Sequence, residues 1–266
     1  VGTQRQQWEN LPNEARETVE AHMGRVIKAE PVEAGFNSGL AAILHTLNRS
    51  VFVKGLPVND RKAWTQDREA LIAPNVIDIA PRLLWRVQAG GWDLIGYEHI
   101  DGRHADYIPG SADLALVADA LATLGKAVLP TAFPAKTEER WRAYVDTPRD
   151  LGRLAGNALL HTDLNPTNLL IAHGRAYVVD WAWPTRAAGW IDAAGWVVWL
   201  IVAGHDPAGA ERHASAVPAW QHAHTSDLDL FARIQSRLWA GIAEDDPDPW
   251  AEGVALAAAR WEEHRN

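Results

Sequence analysis

The run His161-Thr162-Asp163-Leu164-Asn165-Pro166-Thr167-Asn168-Leu169-Leu170, followed by Tyr177-Val178-Val179-Asp180-Trp181, constrains this chain more than any other stretch. It reads as a polar loop, a hairpin of short apolar strands, and an acidic residue at the strand end. Asp163 lies five positions before Asn168, and Asp180 follows a strand, where a side chain can face a cleft. Two carboxylates and an amide are the groups that orient a hydroxyl and hold magnesium around a triphosphate. On this reading Asp163 takes the hydroxyl proton, and Asn168 and Asp180 are the metal ligands.

Upstream, the pattern is that of an antiparallel sheet with one helix. A helix is expected over Asn13–Met23. Strands are expected over 25–34 and 40–47, joined by the small-residue turn Gly35-Phe36-Asn37-Ser38-Gly39. Backbone N–H groups of such a turn can close over phosphates. No Gly-Lys-Ser/Thr follows, so it is not a Walker motif. Ser50-Val51-Phe52-Val53-Lys54 is a further strand, with Phe52 and Lys54 on one face and Val51 and Val53 on the other. Glu69 falls in a helical stretch over 60–72, where it can pair with Lys54; Asp67 should face elsewhere and Arg68 should face solvent. Strands over 83–89 and 92–98 flank Gly90-Gly91, a tight-turn signal, and complete five strands.

The loop and its flanks resemble the catalytic and metal loops of the protein-kinase-like small-molecule kinases, above all the aminoglycoside phosphotransferase and choline kinase group. Their loop reads His-Gly-Asp-Leu-His-x-x-Asn, with a later Ile-Asp-Trp or Ile-Asp-Phe. This chain has Thr162 for the Gly and Asn165 for the second His. Neither change removes a group on which phosphoryl transfer depends. The resemblance implies a bilobal α+β fold: a nucleotide-binding lobe over 1–98, with a five-stranded antiparallel sheet and one helix, and a mostly helical lobe over 99–266 carrying the catalytic loop and acceptor site. The hinge would lie at 97–102. It also implies ATP and Mg2+ as cofactors.

The same resemblance assigns roles. Gly35, Asn37 and Ser38 match the nucleotide-covering loop. Lys54, held by Glu69, would contact the α- and β-phosphates. Backbone groups near Glu98, His99 and Ile100 would bind the adenine edge, and Ile95, Tyr97 or Ile100 would stack on the base. His161 would brace the loop rather than act as a base. Asp192, in an apolar helix, would accept hydrogen bonds from the loop backbone; a cap at a helix start is the other reading. Asp101 would reach the ribose or the acceptor, and Asn165 would contact the acceptor or hold the loop.

The second half reads as helical. Ser111 caps a helix carrying Leu114, Leu116, Val117, Leu121 and Leu124, and Thr137 caps another. An apolar helix spans 187–203, and Asp206-Pro207 ends it. Three more follow over 211–222, 228–243 and 250–263. Asp245, Asp246, Asp248 and Glu252 form an acidic run that is either a solvated loop or a feature that recognises a cationic acceptor. Trp239, Trp250 and Trp261 form aromatic walls for the acceptor or pack in the core; in the relatives the acceptor lies against C-terminal helices.

Composition narrows the partner. The chain of 266 residues is 47% apolar and 22% charged, which supports a packed core and excludes global disorder. It has no Cys, so thiolate chemistry is absent. A net charge of -9 argues against nucleic acid and suits a cationic acceptor. No signal peptide or membrane span is visible, which gives the expectation of a cytoplasmic protein, monomer or homodimer, with no membrane partner. The His-rich patches lack a zinc arrangement. The expected activity is phosphoryl transfer from ATP to a hydroxyl of a small molecule, an aminoglycoside or other cationic natural product, with antibiotic resistance as one use. Choline, an amino alcohol, a sugar or a nucleoside-like metabolite is the alternative acceptor. A catalytically silent nucleotide-binding scaffold is the alternative of another class. Protein phosphorylation is disfavoured, because no Ala-Pro-Glu segment follows Asp180.

Overall fold

A computed structural model of the chain describes residues 5–32, 38–130, 133 and 136–266. Gly35 and Asn37 of the expected phosphate loop lie outside them. The chain divides into two compact units, one running up to Gly102 and including Val179–Ala182, the other formed by Arg103–Val178 and Trp183–Asn266.

The first unit is built on alternation. Helix α1 (Asn13–Met23) buries Ala15, Val19 and Met23, spaced four apart, on one stripe. Strands β1 (Lys28–Pro31), β2 (Leu40–His45) and β3 (Ser50–Pro57) are followed by helix α2 (Trp64–Ile72) and strands β4 (Leu83–Ala89) and β5 (Trp92–Glu98). They form one antiparallel sheet in the order β1-β2-β3-β5-β4. Leu40, Ala42, Leu44, Val51, Val53 and Leu94 pack from the sheet onto α1 and Trp8. The intervening residues set the other face: Lys54 pairs with Ala41 and Ile95, and Phe52 with Tyr97. Lys54 is therefore presented on the face away from α1 because the pleat alternates side chains with a period of two.

Two glycine features fix the β4–β5 hairpin. Gly90 and Gly91 have φ of 57° and 79°, as the twist of a two-residue hairpin requires. At Gly96 a β-carbon would lie 2.3 Å from the Trp85 ring, so the indole sits where a side chain would have stood. The expected helix over 60–72 starts late, at Trp64. The Asp60 carboxylate accepts the Lys62 N–H at 2.7 Å, a local turn that competes with helix entry. The expected strand over 25–34 also begins late, at Lys28. Arg68 is half-buried over the Trp64 ring at 4.3 Å, not solvent-facing as expected.

The second unit is mostly helical. It contains strand β6 (Arg103–His104), helices α3 (Asp113–Leu124), α4 (Thr137–Arg140) and α5 (Pro148–Arg153), and strand β7 (Ala158–Leu160). Strands β8 (Leu169–Ala172), β9 (Arg175–Val178) and β10 (Thr185–Ala187) precede helices α6 (Ile191–Val202), α7 (Pro207–Ala214), α8 (Thr225–Asp245) and α9 (Pro249–Arg265). Its sheets are β6-β8-β9 and the pair β7-β10. Trp196, Phe231 and Trp261 are fully buried among the helices.

Several expectations need correction. The helix over 187–203 starts at Ile191 because Thr185–Ala187 pairs with β7. Asp206-Pro207 opens a helix rather than closing one: the Asp206 carboxylate accepts the Gly209 N–H at 2.8 Å, with Pro in the first turn. The helix over 211–222 is broken, α7 ending at Ala214 and a short 3-10 turn following at Pro218–His222. Thr137 does not cap α4; its hydroxyl donates to the carbonyls of Leu154 and Arg186. No described helix is long and apolar enough to cross a membrane.

Candidate active site

The first unit holds a buried charge cluster. The Lys54 ammonium lies 2.7 Å from Glu69 Oε1 and 3.0 Å from Asp180 Oδ1. Lys54 is on β3, Glu69 on α2, and Asp180 in the segment 179–182. Lys54 and Glu69 are buried, and the Asp180 side chain keeps 26% of its exposure. Burial works against the ammonium, but Asp180 and Glu69 outweigh it, so Lys54 titrates above an ordinary lysine. Burial pushes the Glu69 carboxyl up, with Lys54 opposing and Asp180 adding to the rise. Tyr97, on β5, donates its phenol O–H to Glu69 Oε2 at 3.0 Å. Burial raises the Tyr97 phenol well above its usual range, so it stays protonated as a donor. Asp67 is turned away, as expected, and pairs with Arg86 at 2.6 Å.

The second unit holds the polar loop. The Asp192 carboxylate, buried at the start of α6, accepts the His161 N–H at 2.7 Å and the Thr162 N–H at 2.8 Å. Burial raises the Asp192 carboxyl, and those two N–H bonds oppose the rise. Thr162 adopts φ of 68°, rare for a β-branched residue. Its hydroxyl donates to the Trp183 carbonyl at 2.9 Å. His161 is buried, and its Nδ1 lies 3.3 Å from the Asp163 backbone N–H. Asp163 is half-buried, and one carboxylate oxygen accepts Asn165 Nδ2 at 3.1 Å. Asn165 also accepts the Thr167 N–H at 2.9 Å, capping the short 3-10 turn Pro166–Asn168. Asn168 donates Nδ2 to the Asp163 carbonyl at 3.0 Å, which leaves its own carbonyl oxygen as the group to face a cation.

The remaining expected residues are spread more widely. Ser38 is half-buried just before β2. The Glu98 N–H is spent on the Arg82 carbonyl at 2.9 Å, so any adenine contact there falls to its carbonyl or to His99 and Ile100. Both of those are half-buried, and His99 stands edge-on to His45 at 6.5 Å. Asp101, Asp245 and Asp246 are exposed. Trp239 packs edge-on to Trp199 at 5.5 Å and to Trp250 at 5.6 Å. Trp261 is not a wall: it is fully buried, and its Nε1 donates to Glu211 at 2.8 Å.

Sequence reasoning missed two partners. Tyr97 is one of three residues expected as a base-stacking candidate, with Ile95 and Ile100, although its hydroxyl is on Glu69; the signal is the β3–β5 register, which puts Tyr97 on the Lys54 face. Tyr107 is buried and donates to the Leu164 carbonyl at 3.1 Å, supporting the loop from below. No short motif marks it.

An acidic oxygen and a neutral amide oxygen are hard donors that suit magnesium, which keeps most of its shell for water and phosphate. Asp180, partly exposed, and Asn168, with its amide nitrogen already committed, fit that chemistry.

No family model matches the chain, and no curated protein sequence matches it. Solved structures do. The choline kinase LicA from Streptococcus pneumoniae superposes with a TM-score of 0.62 at 15% identity, over 94% of this chain and 98% of that one. The aminoglycoside phosphotransferase APH(4)-Ia gives 0.60 at 14% identity, over 93% and 98%. A putative fructosamine-3-kinase from Haemophilus somnus 129PT gives 0.62 at 12% identity, over 96% and 97%. Likeness at this level of identity establishes architecture, and the architecture it establishes for this chain is the protein-kinase-like α+β fold.

Proposed function

We propose that this chain transfers the γ-phosphoryl group of ATP, with Mg2+, to a hydroxyl of a small molecule. The observation that carries the reading is the buried Lys54 ammonium held between Glu69 and Asp180 at 2.7 and 3.0 Å. An ammonium this buried and this fully paired is a costly arrangement for stability alone, and it is the arrangement that phosphate positioning needs.

The roles follow from the chemistry of each group. Lys54, directed by Glu69, binds the α- and β-phosphates. Ser38, together with Gly35 and Asn37, lends the nucleotide-covering loop. The carbonyl of Glu98 and the backbone of His99 and Ile100 take the adenine edge. Asn168 and Asp180 would hold magnesium, which would offset charge on the triphosphate oxygens. Asp163 orients the acceptor hydroxyl and accepts its proton as the new O–P bond forms and ADP leaves. Asn165 holds one oxygen of that carboxylate. His161 and Asp192 keep the loop backbone in place. Positioning and electrostatics, rather than a strongly shifted base, supply the acceleration.

A cationic acceptor is the finer reading. Asp101, Asp245 and Asp246 are exposed carboxylates suited to amino groups, and Trp239 with Trp250 offers aromatic surface. Aminoglycosides and amino alcohols share that chemistry; sugars and nucleoside-like metabolites lack the charge.

The test is a panel of hydroxylated metabolites and antibiotics scored for acceptor-dependent, magnesium-dependent ADP release, with the new phosphate then located on the product. Asp163→Asn should abolish turnover while ATP still binds. Undiminished turnover in that variant rejects the base assignment, and nucleotide binding with no turnover across the panel rejects the kinase reading.

A further inference from the structure

We propose that Tyr97 is a positioning residue for the phosphate-binding pair: its phenol fixes the Glu69 carboxylate so that the opposite oxygen faces Lys54. The inference rests on the phosphotransferase reading for its functional consequence, but not for its geometry.

Each oxygen of the buried Glu69 carboxylate has its own donor. Oε1 takes Lys54 at 2.7 Å and Oε2 takes Tyr97 at 3.0 Å. The second donor matters because Lys54 also touches Asp180 at 3.0 Å. Two carboxylates compete for one ammonium, and the Asp180 charge raises the cost of ionising Glu69. A phenol on the far oxygen holds charge on Glu69 and fixes the rotation of its carboxylate. The pair with Lys54 then persists when Asp180 turns to another partner.

The anchor is rigid because Tyr97 sits in β5 between paired strands. Phe52 of β3 lies opposite it on one side and Leu83 of β4 on the other. Helix α2 is keyed to the same strand at two more points. Gln66 Nε2 donates to the Asp93 carbonyl at 2.9 Å, and Asp67 reaches the Asp93 carboxylate through Arg86. Gln66 and Glu69 are three apart and share one helix face. The direction in which α2 presents Glu69 is thus set from β5, and Tyr97 is the contact that reaches the carboxylate itself.

The experiment is Tyr97→Phe, which removes one oxygen and keeps the ring. In the active enzyme the KM for MgATP should rise roughly tenfold with kcat little changed, the scale of one charge-assisted hydrogen bond. The acid limb of the kcat/KM profile should move to higher pH, because Glu69 has lost a donor that favours its charged form. The same displacement is read without turnover by 13C carboxyl NMR of labelled protein, with the Glu69 signal identified by its loss in Glu69→Gln. An unmoved Glu69 titration overturns the proposal. A moved titration with unchanged KM and unchanged acid limb overturns the positioning role and leaves only a structural bond. If the wild-type chain binds no nucleotide but the titration still moves, the kinase reading fails and the orientation of Glu69 by Tyr97 stands. Should Tyr97→Phe not fold, 3-fluorotyrosine installed at position 97 keeps the shape and strengthens the donor. The Glu69 titration must then move to lower pH, and no movement overturns the proposal.

Discussion

The carboxylate of Asp192 bridges the backbone N–H groups of His161 and Thr162 at 2.7 and 2.8 Å, so a helix start takes up the two donors that enter the polar loop. Replacing Asp192 with Ala leaves both N–H groups facing a buried void. Such unsatisfied donors cost about 1–3 kcal/mol each. Asp192→Ala should therefore lose about 2–6 kcal/mol in chemical denaturation, and acceptor phosphorylation should fall with it.

Thr162 should respond unequally to two substitutions. Thr162→Val keeps the branched β-carbon at φ of 68° and removes the hydroxyl from the Trp183 carbonyl. It should destabilise by about 1–2 kcal/mol. Thr162→Gly also loses the hydroxyl but removes the steric cost of the left-handed conformation. Urea denaturation should place it closer to wild type than the Val variant. Equal losses in the two variants would show that the backbone there carries no strain.

Lys54→Met strands two carboxylates without their shared cation. Breaking a buried pair from one side costs about 3–5 kcal/mol. Part of this is recovered as Glu69, its titration already raised by burial, takes up a proton. The loss of stability should thus be larger at pH 8 than at pH 5, as measured by denaturation at both.

The pH dependence of the wild type carries the same signature. Glu69 is raised in the folded state, so its contribution is fully present below the ordinary glutamate value of about 4.3 and is lost as pH rises through the folded value. Asp192, also raised by burial, acts in the same direction from the ordinary aspartate value of about 3.9. Glu69→Gln should flatten the stability curve just above the ordinary carboxylate range. A curve identical to wild type would mean that Glu69 does not titrate differently on folding.

The parts that were legible in the sequence share one property: local chemistry decides them. Gly90-Gly91 announces its turn because only residues tolerant of positive φ fit it, and the hairpin runs where expected. The pleat put Lys54 opposite Val53, and spacing separated Glu69 from Asp67. What was not legible depends on pairing across the chain. Strands of two or three residues, such as Arg103–His104 and Thr185–Ala187, have no periodicity to read. Tyr97 reaches Glu69 across 28 positions, a relation visible only once β5 is registered against β3. The Asp60 and Asp206 side chains bond to nearby backbone and redraw helix boundaries that a count of apolar residues places elsewhere.

The bond between Lys54 and Asp180 joins residues 126 positions apart. A ribosome releases the five strands and α2 long before it releases 179–182. At roughly 5–20 residues per second, the 80 residues between Gly102 and Ala182 take about 4–16 s to make. Throughout that interval Glu69 is the one of these two carboxylate partners of Lys54 that has already been synthesised. The last piece of the first unit is thus delivered only after the polar loop has been synthesised, and translation itself imposes the order of assembly.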